Sequence, residues 1–376
     1  MESILHSFEA WRRGKPDELE SQIANIIVTQ LLKKISNGKA DIRVIGDWDS
    51  KKQTPKLFIY WEISDIVFKD FQWFKECNNA IISYYKKVTK NNLPEDQITW
   101  DVKWQSHSLQ ENSENNKSWD TGTCIGIAYN NTPVYLPWER HLAVWLRDMI
   151  DADFINETSE FFDWELLESD GKIEVLAKYK DNNLESIPEI SFAIQHKQEY
   201  SLSLLREHTK DLVEHYFNKF WLNLELPKIM VNSAWPRHEW WWKVDAWSRE
   251  AKPHRDGFSS YGHCEDSFSG EDPSKPSKSW TLLARKIACF LVKNDYCCFA
   301  KVMLCFRIWM EKPFVHIFTN NTSSYDQETL EFIINNNFDL EIAKWIKEAN
   351  LTDYETYNKI VNASDYFQSE EFYWNF

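Results

Sequence analysis

A short polar segment in the last third of the chain has the composition of a phosphate-binding loop. Residues 267–275 read Ser-Phe-Ser-Gly-Glu-Asp-Pro-Ser-Lys. Glycine lets a ligand approach the backbone closely, and backbone N–H groups, hydroxyls and a lysine suit phosphate oxygens. Only nine of the 376 residues are glycine, so a glycine in this setting is informative. The segment predicts a site for phosphate or a nucleotide.

A second polar phrase precedes a predicted helix near the N-terminus. Residues 14–18 read Gly-Lys-Pro-Asp-Glu, and apolar residues then recur at helical spacing over 21–33. Taken alone, Asp17 is an ordinary helix cap and Lys275 an ordinary surface lysine. The functional interpretation therefore rests on the ordered set of phrases and not on any single residue.

Together the two phrases resemble signatures of the methionine adenosyltransferases, which make S-adenosylmethionine from ATP and methionine. A third stretch, Asp120–Thr132, is similar to the central Asp-Gln-Gly…Gly-Tyr-Ala-Thr-Asn-Glu-Thr signature of that family. The similarity extends from about Gly14 to about Asn320. It implies an α+β fold of three similar β-α-β-type domains with pseudo-threefold symmetry, and active sites that lie between the two subunits of a homodimer.

The resemblance also implies roles for ten residues and a set of ligands. The phosphate-contacting positions, which would carry catalysis, are Lys15, Lys172, Lys252 and Lys275. The methionine- and substrate-binding positions are Glu62, Gln105, Asp120 and Asp245. Asp17 matches a magnesium-binding aspartate, and Asp47 stands at a position linked to a monovalent cation. The implied ligands are ATP, methionine and S-adenosylmethionine, and the implied cofactors are Mg²⁺ and K⁺.

Charged positions of the family's phosphate site are altered in this chain. Glu18 and Glu271 stand where the family has lysine, Ala251 where it has arginine, and Ser277 where it has a second magnesium-binding aspartate. The net change is toward negative charge. One like-charge contact at roughly 5 Å costs about 3 kcal/mol at an effective dielectric constant near 20. Weak triphosphate binding follows unless neighbouring cations fill the gap, and the candidates are Lys243, Arg249 and Arg255.

Three functions are consistent with this pattern. The default is synthesis of S-adenosylmethionine by attack of the methionine sulfur on the ribose 5′ carbon of ATP, which requires positioning and charge stabilisation. The second is an altered paralogue that binds or consumes S-adenosylmethionine. The third is a non-catalytic partner subunit or ligand sensor, in which the tryptophans at 240–242 fill a former nucleotide pocket. A strand with buried and interfacial faces is the simpler prediction for those tryptophans.

Composition excludes some other classes of protein. Forty-three basic and 58 acidic residues give a net charge of −15, the wrong sign for a protein that follows a phosphate backbone. No apolar run reaches membrane-spanning length, and charged residues interrupt the first fourteen positions, unlike a signal peptide. Seven irregularly spaced cysteines fit a reducing compartment. We expect a cytoplasmic protein that binds neither nucleic acid nor membrane.

Helical and strand patterns alternate in three successive units, which predicts the α+β class over one doubly wound sheet. We expect an N-terminal domain over 1–105, a polar crossover loop over 106–118, a central domain over 119–232 and a C-terminal domain over 233–376. Helices are predicted over 21–33, 71–89, 139–149, 203–220 and 280–292. Strands are predicted over 41–48, 56–63, 97–105, 124–129, 172–179, 187–195, 228–232, 298–310 and 314–319.

Overall fold

The structure, a computed structural model, describes residues 3–63, 70–104, 117–118, 120–244, 253–264, 268–363 and 365–375. The predicted site residues Gln105, Asp245 and Lys252 lie outside the described residues, as do Ala251 and Arg249. Among the helices of the described part, none combines the length and the apolar character needed to cross a membrane.

The first part of the chain builds a sheet covered by two helices. After strand β1 (Ile4–Trp11) come helix α1 (Pro16–Lys34), strands β2 (Ala40–Asp49) and β3 (Thr54–Ile63), helix α2 (Phe71–Thr89) and strand β4 (Ile98–Trp104). The strands β2 and β3 form a hairpin, and β4 pairs parallel to β3. Alternate residues of β2 are buried, because one face of the sheet packs against α1.

The central part repeats the order helix, hairpin, helix and parallel strand. Strand β5 (Gly122–Tyr129) leads into helix α3 (Trp138–Asn156), strands β6 (Leu167–Lys180) and β7 (Asn183–His196), helix α4 (Leu202–Lys219) and strand β8 (Lys228–Val231). Strand β8 pairs parallel to β7. The edge position beside β6 is taken by β1, so this sheet has the order β1-β6-β7-β8.

The C-terminal part contributes a hairpin to a third sheet. Two short helices, α5 (Trp241–Val244) and α6 (Pro253–Asp256), precede helix α7 (Pro276–Lys293) and strands β9 (Phe299–Phe306) and β10 (Phe314–Phe318). This sheet has the order β10-β9-β5, and α7 packs on β5. Helices α8 (Gln327–Asn337), α9 (Ile342–Glu348) and α10 (Tyr354–Asn362) follow.

The predicted helices and strands are present with shifted ends, and the mixed α and β content agrees with the predicted α+β class. Two predictions need correction. The strand predicted to reach residue 310 ends at Phe306, because the chain turns there and the Ser118 N–H donates to the Met310 carbonyl at 2.8 Å. The tryptophan-rich stretch is not a strand, since Trp241–Val244 forms a helical turn. Sequence patterns had not indicated β1 or the helices after β10.

Candidate substrate and phosphate site

The N-terminal polar phrase forms the buried start of α1. Pro16 occupies the first helical position, which lacks a helical hydrogen-bond partner in any case. The Lys15 ammonium pairs with the Asp17 carboxylate and lies 4.8 Å from the centre of the Trp11 ring. Both side chains are buried. The predicted phosphate lysine and the predicted magnesium ligand therefore bind each other.

Strand pairing brings Lys172 to the same place. Trp11 of β1 is the register partner of Lys172 on β6, and the Lys172 ammonium lies 2.6 Å from a carboxylate oxygen of Glu9. Lys15, Asp17 and Lys172 are thus gathered around Trp11. Both lysines in this group already have a carboxylate partner.

Arg255 occupies the position beside Glu18. Its guanidinium donates from Nε to Glu18 Oε2 at 2.7 Å and from Nη2 to Oε1 at 3.1 Å, a bidentate pair. The same guanidinium donates to Ser269 Oγ at 2.8 Å. Arg255 was one of the neighbouring cations considered from sequence, and the structure brings it to the altered position, where its charge is matched by Glu18.

The loop glycine serves the fold and not close approach of a ligand. Gly270 has a φ of +83°, and a Cβ at this position would lie 2.2 Å from the carbonyl oxygen of Ile42. The Gly270 carbonyl accepts from the Ile42 N–H at 2.9 Å, and its N–H donates to the Asn25 side chain at 3.0 Å. Only glycine fits here, because the loop is held tightly against β2 and α1.

Two of the altered positions contact each other where this loop meets α7. The Ser277 hydroxyl donates to the buried carboxylate of Glu271, and the Lys278 ammonium donates to the Glu271 carbonyl. Burial raises the pKa of Glu271 to about 7, and the nearby negative charge of Asp41 adds to this effect. Burial also lowers the pKa of Lys278 to about 8. The charge reversal at Glu271 is therefore accommodated inside the protein.

The sheet formed by β2 and β3 brings Glu62 to this loop. Glu62 is the register partner of Asp41, and Asp41 lies 3.3 Å from the buried ammonium of Lys275. Directly opposite residues share a face of a sheet, so Glu62 and Asp41 lie together near Lys275. Asp47 does not join them. It is six residues farther along β2, about 20 Å at strand spacing, and pairs with Lys56 at 2.6 Å.

Asp120 lies two residues before β5. The start of β5, next to Asp120, is also close to the start of α7. Its side chain accepts from the Thr121 N–H at 2.7 Å, and its carbonyl accepts from Ser118 Oγ at 2.7 Å. The link to α7 is Cys124, whose thiol donates to the Ser277 carbonyl at 3.6 Å. Asp120 is thus positioned by the strand that supports the phosphate-type loop.

Two tryptophans fill the space over the N-terminal phrase. Trp240 and Trp242 are buried, and their ring centres are 4.8 Å apart. The Trp240 indole N–H donates to the Gly14 carbonyl at 3.0 Å. The Trp242 ring lies so close to β2 that a Cβ on Gly46 would be 2.0 Å from it. The two indoles are thus packed between the N-terminal phrase and β2, and their filling of a former nucleotide pocket stays a prediction.

Several residues of the site were not singled out from sequence: Asp41, Arg43, Lys278 and Tyr366. The Tyr366 hydroxyl accepts from Arg255 and from the Asn25 amide, the latter at 2.7 Å. Asp41 and Arg43 carry a signal, because they occupy alternate positions of a strand whose other face is apolar. Tyr366 carries none, since it reaches the site from the C-terminal end of the chain.

The arrangement of the described donors does not fit the magnesium site that the family implies. Asp17 binds the Lys15 ammonium, and the position of the second expected aspartate holds Ser277, whose hydroxyl donates to Glu271. Over the described ranges, with their gaps at 245–252 and 265–267, no three His, Cys, Asp or Glu side chains are grouped to hold a metal ion. These described side chains are arranged as mutually paired groups and not as ligands of magnesium.

Comparison with known proteins agrees with the order of these elements. Residues 115–234 match the family model for the S-adenosylmethionine synthetase central domain, and residues 252–376 match the model for its C-terminal domain. The chain is 25% identical to the S-adenosylmethionine synthase of Mycoplasma capricolum over 93% of this chain and 89% of that protein. It is 29% identical to that of Prochlorococcus marinus over 66% and 62%, and 25% identical to that of Clostridium tetani over 92% and 90%. Two domain models of one family thus match in sequence order, and the similarity spans most of the chain at low identity. The chain is therefore a divergent member of the S-adenosylmethionine synthetase family.

Proposed function

We propose that this protein is an S-adenosylmethionine synthetase-type protein whose site binds S-adenosylmethionine in preference to ATP. One observation carries the proposal. Each described lysine at a predicted phosphate position is already paired with a carboxylate, and Arg255, the cation that reaches the site from a neighbouring position, is paired with Glu18.

Binding a triphosphate at this site means displacing carboxylates from their cations. The pairs are Lys15 with Asp17, Lys172 with Glu9, Lys275 with Asp41 and Arg255 with Glu18. Each carboxylate left within roughly 5 Å of a phosphate oxygen costs about 3 kcal/mol at an effective dielectric constant near 20. Two such contacts amount to several powers of ten in the dissociation constant.

The residues at the predicted methionine positions suit a cation. Glu62 and Asp120 are described, and Gln105 and Asp245 complete the set in the sequence. Carboxylates favour the ammonium and sulfonium groups of S-adenosylmethionine, which carries no phosphate. S-adenosylmethionine would thus be attracted by these carboxylates, and because it carries no phosphate it does not need the cations that are already paired.

Synthesis from ATP and methionine is the second candidate function. It is favoured by two cations beside altered family positions, the largely buried Arg255 and the buried Lys278. If synthesis occurs, these side chains would stabilise negative charge as the triphosphate leaves. The enzyme activity, the cytoplasmic location and the use of Mg²⁺ and K⁺ belong to this proposal.

We also propose the family's quaternary and domain organisation for this chain. The recurring order of helix, hairpin and helix supports three related domains with pseudo-threefold symmetry, bounded as expected from sequence. Strand β1 of the N-terminal domain lies in the sheet of the central domain, and β5 of the central domain lies in the sheet of the C-terminal domain. We therefore expect that none of the three domains would fold if it were cut out at these boundaries. A homodimer is expected, because the family's active sites lie between two subunits.

Calorimetric titration of the full chain tests the proposed function. We expect S-adenosylmethionine to bind at least tenfold more tightly than ATP in the presence of Mg²⁺ and methionine. Tight Mg²⁺-dependent ATP binding, with formation of S-adenosylmethionine from ATP and methionine, would contradict the proposal and support synthesis. If neither ligand binds, the non-catalytic partner role is supported instead.

A matched pair of variants tests the physical reason. The double variant Glu271→Lys with Ser277→Asp restores both family residues and should raise the affinity for ATP at least tenfold. Glu225→Gln makes the same net charge change, one unit toward positive, on an exposed loop and should leave the affinity for ATP within about twofold. Equal gains in both variants would show that net charge, and not the site, sets ATP affinity.

A further inference from the structure

A cavity outside the candidate site has a different chemical character. Its volume is about 260 Å³, and aromatic rings from five separate segments line it. The rings belong to His6, Tyr129, Tyr179, Tyr261 and Phe299, which we call the aromatic cage. Tyr129 lies about 23 Å along β5 from the end of that strand beside Asp120, and His6 lies about 10 Å along β1 from Glu9.

The five rings form a closed cycle. Consecutive ring centres are 4.4 Å apart for His6 and Tyr261, 5.8 Å for Tyr261 and Phe299, and 5.4 Å for Phe299 and Tyr129. The cycle closes through Tyr129 to Tyr179 at 5.9 Å and Tyr179 to His6 at 5.8 Å. A cation inside a cycle of these spacings would lie about 5 Å from every ring, within the ~6 Å range of cation–π attraction.

A buried carboxylate stands behind the cage. Glu139 is 1% exposed, and it accepts from the Tyr179 hydroxyl at 2.8 Å and from the Tyr261 hydroxyl. These bonds turn two hydroxyls away from the cage and hold both rings in place. Burial raises the pKa of Glu139 to about 7, because the charged form loses its hydration. A positive charge in the cage would stabilise the charged form of this carboxyl.

The rim of the cavity is polar and built from two tight turns. Asp181, Asn182, Asn320 and Asn321 all have left-handed φ values, between 49° and 63°. The turns are tied together, since the Asn182 amide donates to the Asn320 carbonyl at 3.3 Å, and the Tyr129 hydroxyl donates to the Asn182 carbonyl. The described lining includes Asp181 but no lysine or arginine. Lys301, two residues beyond Phe299 on the same strand face, lies 5.9 Å from the centre of the Phe318 ring, and its ammonium would be 3.5 Å from a Cβ on Gly262, which follows Tyr261.

We propose that the aromatic cage binds a compact organic cation, a quaternary ammonium or sulfonium group with small alkyl substituents. Such groups have no N–H to donate, so they need aromatic faces and a distant negative charge instead of hydrogen-bond acceptors. The cage offers five rings, one buried carboxyl and an acidic rim residue. This inference does not depend on the function proposed for the first site.

Calorimetric titration with choline and with its uncharged isostere 3,3-dimethyl-1-butanol tests the proposal on the wild-type protein. The two molecules have the same shape and differ in the positive charge. We expect choline to bind at one site at least tenfold more tightly than the isostere, and its trimethylammonium proton resonance to move upfield through ring currents. Equal affinities, or no binding of choline and trimethylsulfonium, would overturn the proposal.

Variants locate the site and separate the possible sources of the cation. Tyr261→Leu removes one ring and should weaken choline binding at least tenfold, while Tyr261→Phe should stay within about threefold. Tyr325→Leu makes the same change at an exposed tyrosine outside the cage and should have no effect. Unchanged binding in a folded Tyr261→Leu protein would place the cation elsewhere and refute the assignment. Displacement of choline by trimethylsulfonium would show that the cage accepts a sulfonium as well as an ammonium group, and its absence would restrict the ligand to ammonium compounds.

Discussion

At the scale of single residues, the site is defined by groups that satisfy one another. Glu271 is the clearest case, because a carboxyl in a family lysine position is buried beside Asp41, Arg43 and Lys275. Its carboxyl accepts a hydrogen bond from Ser277. Glutamate in place of the family's lysine at 271 and serine in place of its aspartate at 277 therefore form one coupled change. A site rebuilt in this way can be stable while its affinity for phosphate is low.

The raised pKa of Glu271 predicts a pH dependence of stability. Its pKa rises from 4.5 to about 7 on folding, so the folded state binds the proton more tightly. The stabilisation is full below pH 4.5 and is lost as the pH rises through 7. Glu271→Gln should therefore increase the free energy of unfolding at pH 8 by about 2–3 kcal/mol and change it little at pH 4.5.

Urea denaturation at pH 4.5, 6 and 8 measures this effect. Glu139 titrates in the same range, so the variant should reduce the pH slope of the wild type without removing it. Glu225→Gln, on an exposed loop, is the control and should follow the wild type at each pH. A Glu271→Gln protein that is less stable at pH 8 would mean that the carboxylate is charged and needed by its cations.

At the scale of elements, helix α7 and strand β5 form the support of the phosphate-type loop. Gly126 on β5 allows this contact, since a Cβ there would lie 2.1 Å from the backbone of Ala284 and Arg285 on α7. Gly126→Ala should push the helix away from the strand and lower the free energy of unfolding by about 3 kcal/mol, the upper range for overpacking. Thermal and urea denaturation measure the loss.

The matched control lies on the same strand. Thr123→Ala changes a half-buried residue of β5, and because it removes atoms instead of adding them, it should cost less than about 1 kcal/mol. If Gly126→Ala is tolerated equally well, the close approach of α7 to β5 is not what positions the loop.

The helices and strands that could be predicted from sequence are those with a clear local hydrophobic pattern. Helix α2 follows a hydrophobic period that predicts its bounds of Phe71 and Thr89, and β7 and β9 carry enough alternation to be found. Strand β1 could not be found, since its partner β6 lies more than 160 positions along the chain. The turn at Trp241–Val244 was mistaken for a strand, because bulky aromatic residues favour strands locally while burial over Gly46 decides the actual conformation.

Two phrases of the candidate site could be recognised in the sequence, because each is short and holds its own local geometry. The pairing of Lys15 with Asp17 lies within one phrase, and the loop at 268–275 carries its own turn. The partners that neutralise the cations come from elsewhere: Glu9 from β1, Asp41 from β2 and Arg255 from a short helix. A single sequence gives no signal for such contacts, so the sequence could indicate a change in charge but not how the fold compensates for it.

At the scale of the whole molecule, one face of the β2–β3 sheet remains partly open. Arg43, Asp47 and Tyr60 alternate with the buried residues of these strands and are partly exposed. In the family to which this chain belongs, active sites lie between two subunits, and Asp41 and Glu62 lie on this same face. We therefore expect a homodimer that covers it, observed as twice the chain mass in size-exclusion chromatography with light scattering.

The net charge of −15 on each chain opposes this association, so the dimer should be tighter at 0.5 M salt than at 0.05 M, where like charges are poorly screened. Tyr60→Lys puts a second cation directly opposite Arg43 and should weaken the dimer at least tenfold. Tyr325→Lys, at an exposed tyrosine elsewhere, should leave the mass unchanged.

If the wild-type protein is a monomer at both salt concentrations, any ligand site must be complete within one chain. The carboxylates near Lys275 would then face solvent, where screening weakens the repulsion that disfavours ATP. The oligomeric state therefore decides how strongly this site discriminates against phosphate.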